Sequence, residues 1–576
     1  MDNKQGRGGG QRDASGKRKA RDMGRKEWSR LHTDKRARND KQAEKNRRKI
    51  ENGEEVKAPV YATHFSQEDI DQEQRRPKKK VAVLLGYSGT GYKGMQLSET
   101  EKTIEGELFT AFVAAGAISK ANAADPKKSS LVRCARTDKG VHAAGNIVSL
   151  KLIVEDEDIV QKINDKLSAQ IRVWDILPTS KSFSSYQLCD SRVYEYLIPS
   201  HCFLPPHPST YLGKKITEVA EKEGDLEAYR ARQEEVAGFW DEVDEKHVKP
   251  ILEGVPEDIR ALVEKALYFD EDKGPKNEDE QQTEGAENKD EAAPAATETA
   301  PADAASEADE ALRRQIIDVV KQVKAVYITA KRAYRIPESR RARIQAALDQ
   351  YVGTKNFWNF TIQKMFKDPS AKRFIKSFKM HPEPIIINGT EWLSLKVHGQ
   401  SFMMHQIRKM VAMAAMVVRC GSDPSRIAET YGPTKIAIPK APGLGLLLER
   451  PVFEMYNKRQ DTIGNGKQSI DFDRYNKEID EFKQREIYDR IFREEEQLNA
   501  FSSFFNHIDH FPQEEFLYVT SGGIGAARPA LAPGAAPQAA EAGEGKTDRK
   551  SQREALAEVE EESEDETLPN NGEEGG

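Results

Sequence analysis

Cysteine is scarce in this chain of 576 residues, with four in all, at Cys134, Cys189, Cys202 and Cys420. They lie far apart and form no CxxC pair, which argues against a disulfide scaffold and points to a reducing compartment. A zinc site would have to be assembled from distant residues, because the usual ligand spacing is missing. Long apolar runs are missing as well. No stretch approaches the roughly 20 residues that span a bilayer. The N-terminus has no apolar centre of a signal peptide and too many acids for a transit peptide. A soluble, intracellular protein without membrane attachment is expected. Hydrophobic residues make up 37% of the chain against 32% charged ones, and mean hydropathy is −0.74. That is too polar for uniform folding, so folded blocks should alternate with solvated ones.

Net charge is small too, at −6, but it averages opposite tracts. Residues 1–50 hold eighteen Lys/Arg against seven Asp/Glu, whereas 270–310 holds fifteen acids against three bases. Residues 1–78 cannot bury enough apolar surface to offset chain entropy, so a disordered basic tail is expected there. Its clusters Lys17-Arg18-Lys19-Ala20-Arg21, Lys35-Arg36-Ala37-Arg38 and Arg47-Arg48-Lys49 fit nuclear import or loose RNA binding, or an ordinary solvated tail. The 270–310 stretch reads as a disordered acidic insertion, and the chain turns disordered and acidic again at its C-terminus.

Hydrophobic periodicity supplies the elements between. Val81 to Tyr87 is a short apolar run ending at glycines, a buried strand. Thr103 to Ala115 is helical, with Ile104, Leu108, Phe109 and Phe112 on one face and Glu105 and Glu107 in the first turn. Asn146 to Ile153 alternates as a half-buried strand. In the strand Arg192 to Ile198, a period of two puts Arg192, Tyr194 and Tyr196 on one face, with Val193 and Leu197 on the other. Charged helices are expected over 212–269 and over 311–351, broken at Pro337. Ile385–Ile387 and Leu393–Val397 flank Asn388-Gly389, the favoured hairpin turn. Phe402 to Val418 is an apolar-rich helix ending at Gly421, and 470–508 looks helical. Two blocks of strands, each with one or two helices, predict an α+β enzyme with antiparallel sheets.

Four segments could carry chemistry. Arg136-Thr137-Asp138-Lys139-Gly140-Val141-His142-Ala143 gathers an acid, bases and a glycine on one loop, where catalytic groups concentrate; on the residues alone it is either that or a polar turn. Gly89-Thr90-Gly91-Tyr92-Lys93-Gly94 fits GxGxxG, but the fingerprint needs its last glycine to open a helix, and the helix begins only near Thr103. No GK[ST] follows either, so the segment reads as a close-packed glycine turn and no nucleotide cofactor is expected. Arg408 sits one turn before a helical stretch that is apolar all round. A guanidinium drawn there calls for an anion; otherwise Arg408, His405 and Lys409 form an exposed polar stripe. Lys364, Lys367, Lys372, Arg373, Lys376 and Lys379 follow Phe357, Trp358 and Phe360. Cations beside aromatic rings suit an RNA surface, and a solvated charge run is the plainer alternative.

Taken together these segments resemble the TruA/Pus1 family of tRNA pseudouridine synthases, in its eukaryotic, fungal-like branch. The loop around Asp138 is similar to the family's catalytic motif. Cys189-Asp190-Ser191-Arg192-Val193-Tyr194-Glu195-Tyr196 resembles the second motif, Phe402 to Val411 the third, and Ala441-Pro442-Gly443-Leu444-Gly445-Leu446-Leu447-Leu448 the closing strand. Gly353 to Thr361 resembles the eukaryotic branch specifically. The likeness covers about 80–205 and 335–455. It implies two related α/β halves with antiparallel sheets joined around a central RNA-binding cleft. It also implies Asp138 as the essential carboxylate, Arg408 as its partner, Tyr194 stacking on the target base and Arg136 displacing that base from its stem. Arg192 and the lysine strip would touch RNA, while Gly443 and Leu446 would line the pocket.

The organisation that follows is a basic tail at 1–78, a catalytic half at 79–205 and a mostly helical region with the acidic insertion at 206–349. A second half at 350–456, a helical extension at 457–515 and a disordered acidic tail at 516–576 complete it. The implied reaction breaks the uridine N1–C1′ bond and joins C1′ to C5, which needs neither a redox cofactor nor ATP. Zinc has been associated with the branch, without a ligand pattern here. The implied partners are tRNA, mainly in and near the anticodon stem, and small nuclear and messenger RNA. The implied setting is a monomer in the nucleus. A catalytically inactive RNA-binding or chaperone protein of the same fold is the rival reading.

Overall fold

The computed structural model describes residues 59–257, 259–263, 303–362, 364–463, 467–512 and 514–527. The three basic N-terminal clusters and the acidic stretch before residue 303 lie outside these. The chain divides into two units, residues 1–62 with 98–100, and residues 63–97 with 101–576. In the first, the Val60 N–H donates to the Glu99 carbonyl at 3.0 Å. The second carries the sheet and everything described below.

Ten strands form one sheet. In chain order they are β1 (Lys79–Tyr87), β2 (Val132–Arg133), β3 (His142–Leu152), β4 (Ile171–Pro178), β5 (Ser191–Pro199), β6 (Gly353–Asn356), β7 (Lys372–Met380), β8 (Ile385–Ile387), β9 (Thr390–Gly399) and β10 (Leu446–Val452). The spatial order is β4-β1-β3-β10-β5-β9-β7-β6, with β2 beside β3 and β8 beside β9. The two strand blocks read from the sequence therefore share a single sheet. β10 of the second block inserts between β3 and β5 of the first, and β5 continues the ladder to β9 from Arg192↔Gly399 to Pro199↔Trp392. Every pairing is antiparallel except β3 with β10, where Leu447↔His142 and Leu448↔Ala143 run parallel. That exception positions the site. Parallel neighbours enter a sheet from the same end, so the loop before β3 and the loop before β10 are side by side.

Local chemistry explains the elements. From Val81 to Tyr87, β1 is buried on both faces, as an unbroken apolar run should be in the middle of a sheet. The helix Ile104–Ala114 starts at Thr103, whose hydroxyl accepts the Gly106 N–H. Asn388 and Gly389 both take positive φ, 48° and 81°, the requirement of a two-residue hairpin turn. The apolar helix spans Gln406–Arg419. It stops where Gly421 adopts φ 63°, with Ser422 N–H on the Val417 carbonyl and Gly421 N–H on that of Val418.

That helix is buried along almost its whole length and is pinned by two arginines. Arg340 is fully buried and donates to the carbonyls of Phe203 and Val418. Arg419 pairs with Asp509 at 2.5 Å, both side chains being nearly inaccessible. Removing either member of that pair strands a buried charge, a loss of about 3–5 kcal/mol. The helices between Asn476 and Leu498 pack on the sheet face that carries Glu195, opposite to Tyr194. Lys483 bridges Glu449 at 2.7 Å and Glu195 at 3.8 Å, and Trp392 packs edge-on against Phe492.

The strand expected from Asn146 starts at His142 and the helix expected from Phe402 starts at Gln406, and three segments read as disordered are helical in part. A helix at Gln67–Gln72 lies inside the stretch expected to be tail, capped by Ser66 on the Asp69 N–H. The helix ending at Ala333 begins at Asp303, so the last residues of the 270–310 stretch are helical. Short 3-10 turns at Glu514–Val519 and Gly523–Ala526 continue past residue 515, with Tyr518 and Val519 fully buried. Tertiary contacts hold the first and the third of these, through Lys120 on Asp69 and Glu73 and through the burial of Leu517 to Val519. Among the described residues no helix is long and apolar enough to cross a membrane.

Candidate active site

The loop leading into β3 is held from several sides. Its Thr137 carbonyl accepts the Met95 N–H at 3.1 Å, and its Thr137 hydroxyl meets Tyr87 Oη at 2.8 Å. Asn146 Nδ2 donates both to Tyr87 Oη and to the Ala135 carbonyl, each at 3.2 Å. Asp138 opens a tight turn closed by Val141 N–H on its carbonyl, with Gly140 at φ 75° as the third residue. His142 is completely buried and accepts the Gly89 N–H on Nδ1 at 3.1 Å. Burial first, then the nearby Arg490, pushes its pKa down to about 4, so it is a neutral anchor.

The glycine turn before Thr103 cradles this loop. A Cβ on Gly89 would meet the Val141 carbonyl oxygen at 2.3 Å, and one on Gly94, at φ 97°, the Thr137 carbonyl oxygen at 2.8 Å. The glycines let one backbone approach another. They open no helix at Gly94; the helix starts at Ile104.

Asp138 is partly exposed at the end of the loop. Oδ2 lies 2.9 Å from His405 Nδ1 and 4.0 Å from Arg408 Nη1. Burial raises the carboxyl pKa, but the hydrogen bond and charge of His405, with Arg408 and Lys440, outweigh it and hold the group below the usual carboxylate range. Arg408 is itself fixed by Nε donating to the Ala441 carbonyl at 2.6 Å. Thus the first block supplies the acid, and the helix and closing strand of the second block supply its cations. Tyr194 projects from β5 with its ring edge-on to Phe402, centroids 5.2 Å apart. Burial raises its hydroxyl pKa, with smaller contributions from neighbouring charges that include Asp138. Arg136 is exposed two residues before the carboxylate. Beside the loop an open cleft is lined by Thr90, Lys93, Lys139, Gly140, Leu444 and Glu494.

The structure brings Asp138, Arg408 and Tyr194 together and corrects several other placements. Arg192, expected at the RNA surface, is nearly buried. It is 9% exposed, and its guanidinium donates to the carbonyls of Cys134 at 2.9 Å and Gln400 at 3.2 Å, because its strand is interior and its charge is spent on backbone. Phe357, Trp358 and Phe360 are buried as well, the two phenylalanines clustering with Tyr351 and Tyr431. The exposed apolar groups of that region are Met365, Phe366 and Phe374. Lys367, Lys372 and Lys376 are exposed, whereas Lys364 pairs with Asp368 at 3.3 Å and Arg373 is half-buried at the β6–β7 edge. Gly443 abuts the Arg408 guanidinium. Leu446 lies opposite Tyr196 in the sheet interior, and Leu444 is the leucine that reaches the cleft.

His405 and Lys440 escaped the sequence reading as partners of the acid. His405 had been grouped with an exposed stripe, yet its side chain is 1% exposed. Among the described residues no three of His, Cys, Asp or Glu gather as a metal site. The donor set does not fit zinc, and no step is assigned to it.

A family model described as tRNA pseudouridine synthase matches residues 347–454. A protein of Eremothecium gossypii named tRNA pseudouridine synthase 1 is 44% identical over 449 residues, 77% of this chain and 76% of that protein. Its Schizosaccharomyces pombe namesake is 41% identical over 480 residues, 81% of this chain and 90% of its own. A tRNA pseudouridine(27/28) synthase of Saccharomyces cerevisiae is 34% identical over 426 residues, 73% of this chain and 97% of its own. The chain belongs to the tRNA pseudouridine synthase family.

Proposed function

We propose that this protein isomerises uridine to pseudouridine in tRNA and that Asp138 is the group that acts on the target nucleotide. The observation that carries the assignment is the meeting of Asp138 with His405, Arg408 and Lys440. A carboxylate serves as nucleophile or base only when ionised and aimed, and these neighbours favour both. Either route, attack on the nucleotide or removal of the C2′ proton, uses the same oxygen-bearing group and no external reductant or ATP. A uridine inside a stem must leave its stack before C1′ is reachable. Exposed Arg136 is the residue to displace the base, and the Tyr194 ring is the surface on which it rests.

Exposed Lys367, Lys372 and Lys376 supply phosphate contacts, with Phe366 and Phe374 as apolar contacts between them. Such contacts position RNA without reading its sequence, which supports a substrate range that includes the anticodon stem region of tRNA and extends to small nuclear and messenger RNA. The basic clusters between Lys17 and Lys49 support a nuclear location.

Replacing Asp138 with alanine tests the assignment. Tritium release from C5-labelled tRNA should fall by on the order of 10³-fold or more, while a gel shift shows tRNA binding within about threefold of the parent, since phosphate contacts carry the affinity. Turnover near the parent rate would refute the role and reopen the reading of an inactive RNA-binding protein.

A further inference from the structure

The two oxygens of Asp138 are not equivalent. His405 Nδ1, at 2.9 Å, and Arg408 Nη1, at 4.0 Å, both address Oδ2. Oδ1 has no hydrogen-bond or ion-pair partner among the described residues. Arg408 stands off from the acid, with Nη1 at 4.0 Å and Nε donating to the Ala441 carbonyl. The contact that sets the carboxylate plane is therefore the one from His405. An ionised carboxylate only accepts, so Nδ1 carries the hydrogen of that bond.

The backbone of His405 is arranged to make it. His405 precedes the helix at φ 61°, a left-handed conformation uncommon for a side chain of this size. Its neighbours hold it there. The Met404 carbonyl accepts the Thr361 hydroxyl at 3.0 Å, and the Met403 N–H donates to Gln406 Oε1 at 2.9 Å. The His405 carbonyl starts the helix by accepting the Lys409 N–H. Strain kept in place by surrounding contacts, at a residue touching the reactive acid, is the kind that serves a site.

We propose that His405 is a positioning residue. Its Nδ1–H fixes Oδ2 and so presents Oδ1 as the oxygen that meets the target nucleotide, whether that oxygen attacks or takes a proton. The proposal rests on Asp138 being the reacting carboxylate.

The test measures kcat and KM on tRNA for the full chain carrying His405→Gly and His405→Asn. Both residues accept the left-handed backbone. Asparagine can bring an amide N–H near the position of Nδ1, and glycine cannot. Glycine should lower kcat by about 10²-fold, the cost of a loosened reacting group, with KM within about twofold. Asparagine should recover kcat to within about fivefold of the parent, as restored aim predicts. Glycine retaining the parent kcat, or asparagine as slow as glycine, overturns the proposal. Should the glycine chain fail to bind tRNA, His405→Asn is compared with His405→Ala, which has no donor and adds no charge beside Asp138. Equal rates overturn the proposal, and a slower alanine supports it. Asp138→Ala, assayed alongside, separates the two failures, since its activity alone decides the underlying assignment.

Discussion

The loop from Cys134 to His142 and the cationic strip from Lys364 to Lys379 meet RNA chemistry in opposite ways. The loop is tied to its surroundings at nearly every residue. Its carbonyls at Cys134, Ala135 and Thr137 are all taken, two glycines make room for it, and a neutral buried imidazole closes its end. The strip keeps most of its charges in water. Lys367 and Lys372 are exposed, and Lys376, also exposed, donates to the Ser191 hydroxyl at 3.3 Å. A reacting carboxylate has one correct position, so the fold over-determines it. Phosphate binding, the role proposed for the strip, is a sum of weak, interchangeable terms, and Lys367, Lys372 and Lys376 stand in solvent. Substitutions in the loop should act all at once, and those in the strip gradually.

Gly89→Ala should break the contrast most severely. The added Cβ would overlap a backbone oxygen that cannot swing aside. The loop must shift, and a shift near 1 Å costs about 10²-fold in kcat, with about 1–3 kcal/mol of stability lost to overpacking. Steady-state kinetics and urea unfolding check both. Arg192→Met comes next. It leaves the Cys134 carbonyl without its donor and should destabilise by about 1–3 kcal/mol, with the salt dependence of tRNA binding unchanged. A reduced salt slope would return Arg192 to the RNA surface.

Acid should loosen the loop before the strip. His142 takes a proton near pH 6.5 when unfolded but only near 4 when folded, so below 6.5 the unfolded chain binds more protons. Stability from this group is complete above pH 6.5 and should fall by about 1.4 kcal/mol per pH unit down to 4. Denaturant midpoints at pH 7 and 5 measure it, and His142→Gln should flatten the slope. The smallest effects belong to Lys372→Ala and Lys376→Ala. Each should weaken tRNA binding a few-fold and lower the log–log salt slope by about 0.7–0.9, with kcat nearly unchanged.

Much of this was written locally. An unbroken apolar run marked β1, a period of two placed Arg192, Tyr194 and Tyr196 on one face of β5, Asn388-Gly389 fixed the hairpin, and an apolar stretch ending at Gly421 fixed the central helix, because each depends on neighbours a few positions away. The alternation at 146–153 suggested a half-buried strand, whereas β3 starts at His142 and is buried on both faces except at Lys151. The motif residues Asp138, Tyr194 and Arg408 were legible as candidates for the same reason. Their roles were not visible in any one segment. Nothing near Leu446 announces that β10 will slide between β3 and β5, parallel to the first, and that insertion is what carries Ala441 and Arg408 to Asp138. Nor does local pattern separate Arg192, spent on carbonyls, from Lys372, left in water, or bury Phe357 while exposing Phe366.

By itself the sequence determined which segments become strands and helices and which side chains have the chemistry for the task. Only the tertiary structure decided which of them meet, that His405 is nearest to the acid, and which cations stay exposed. The reason is physical. Secondary structure is set by interactions across a few residues, whereas pairing across some 300 residues and the burial of a charge depend on what the rest of the chain places alongside.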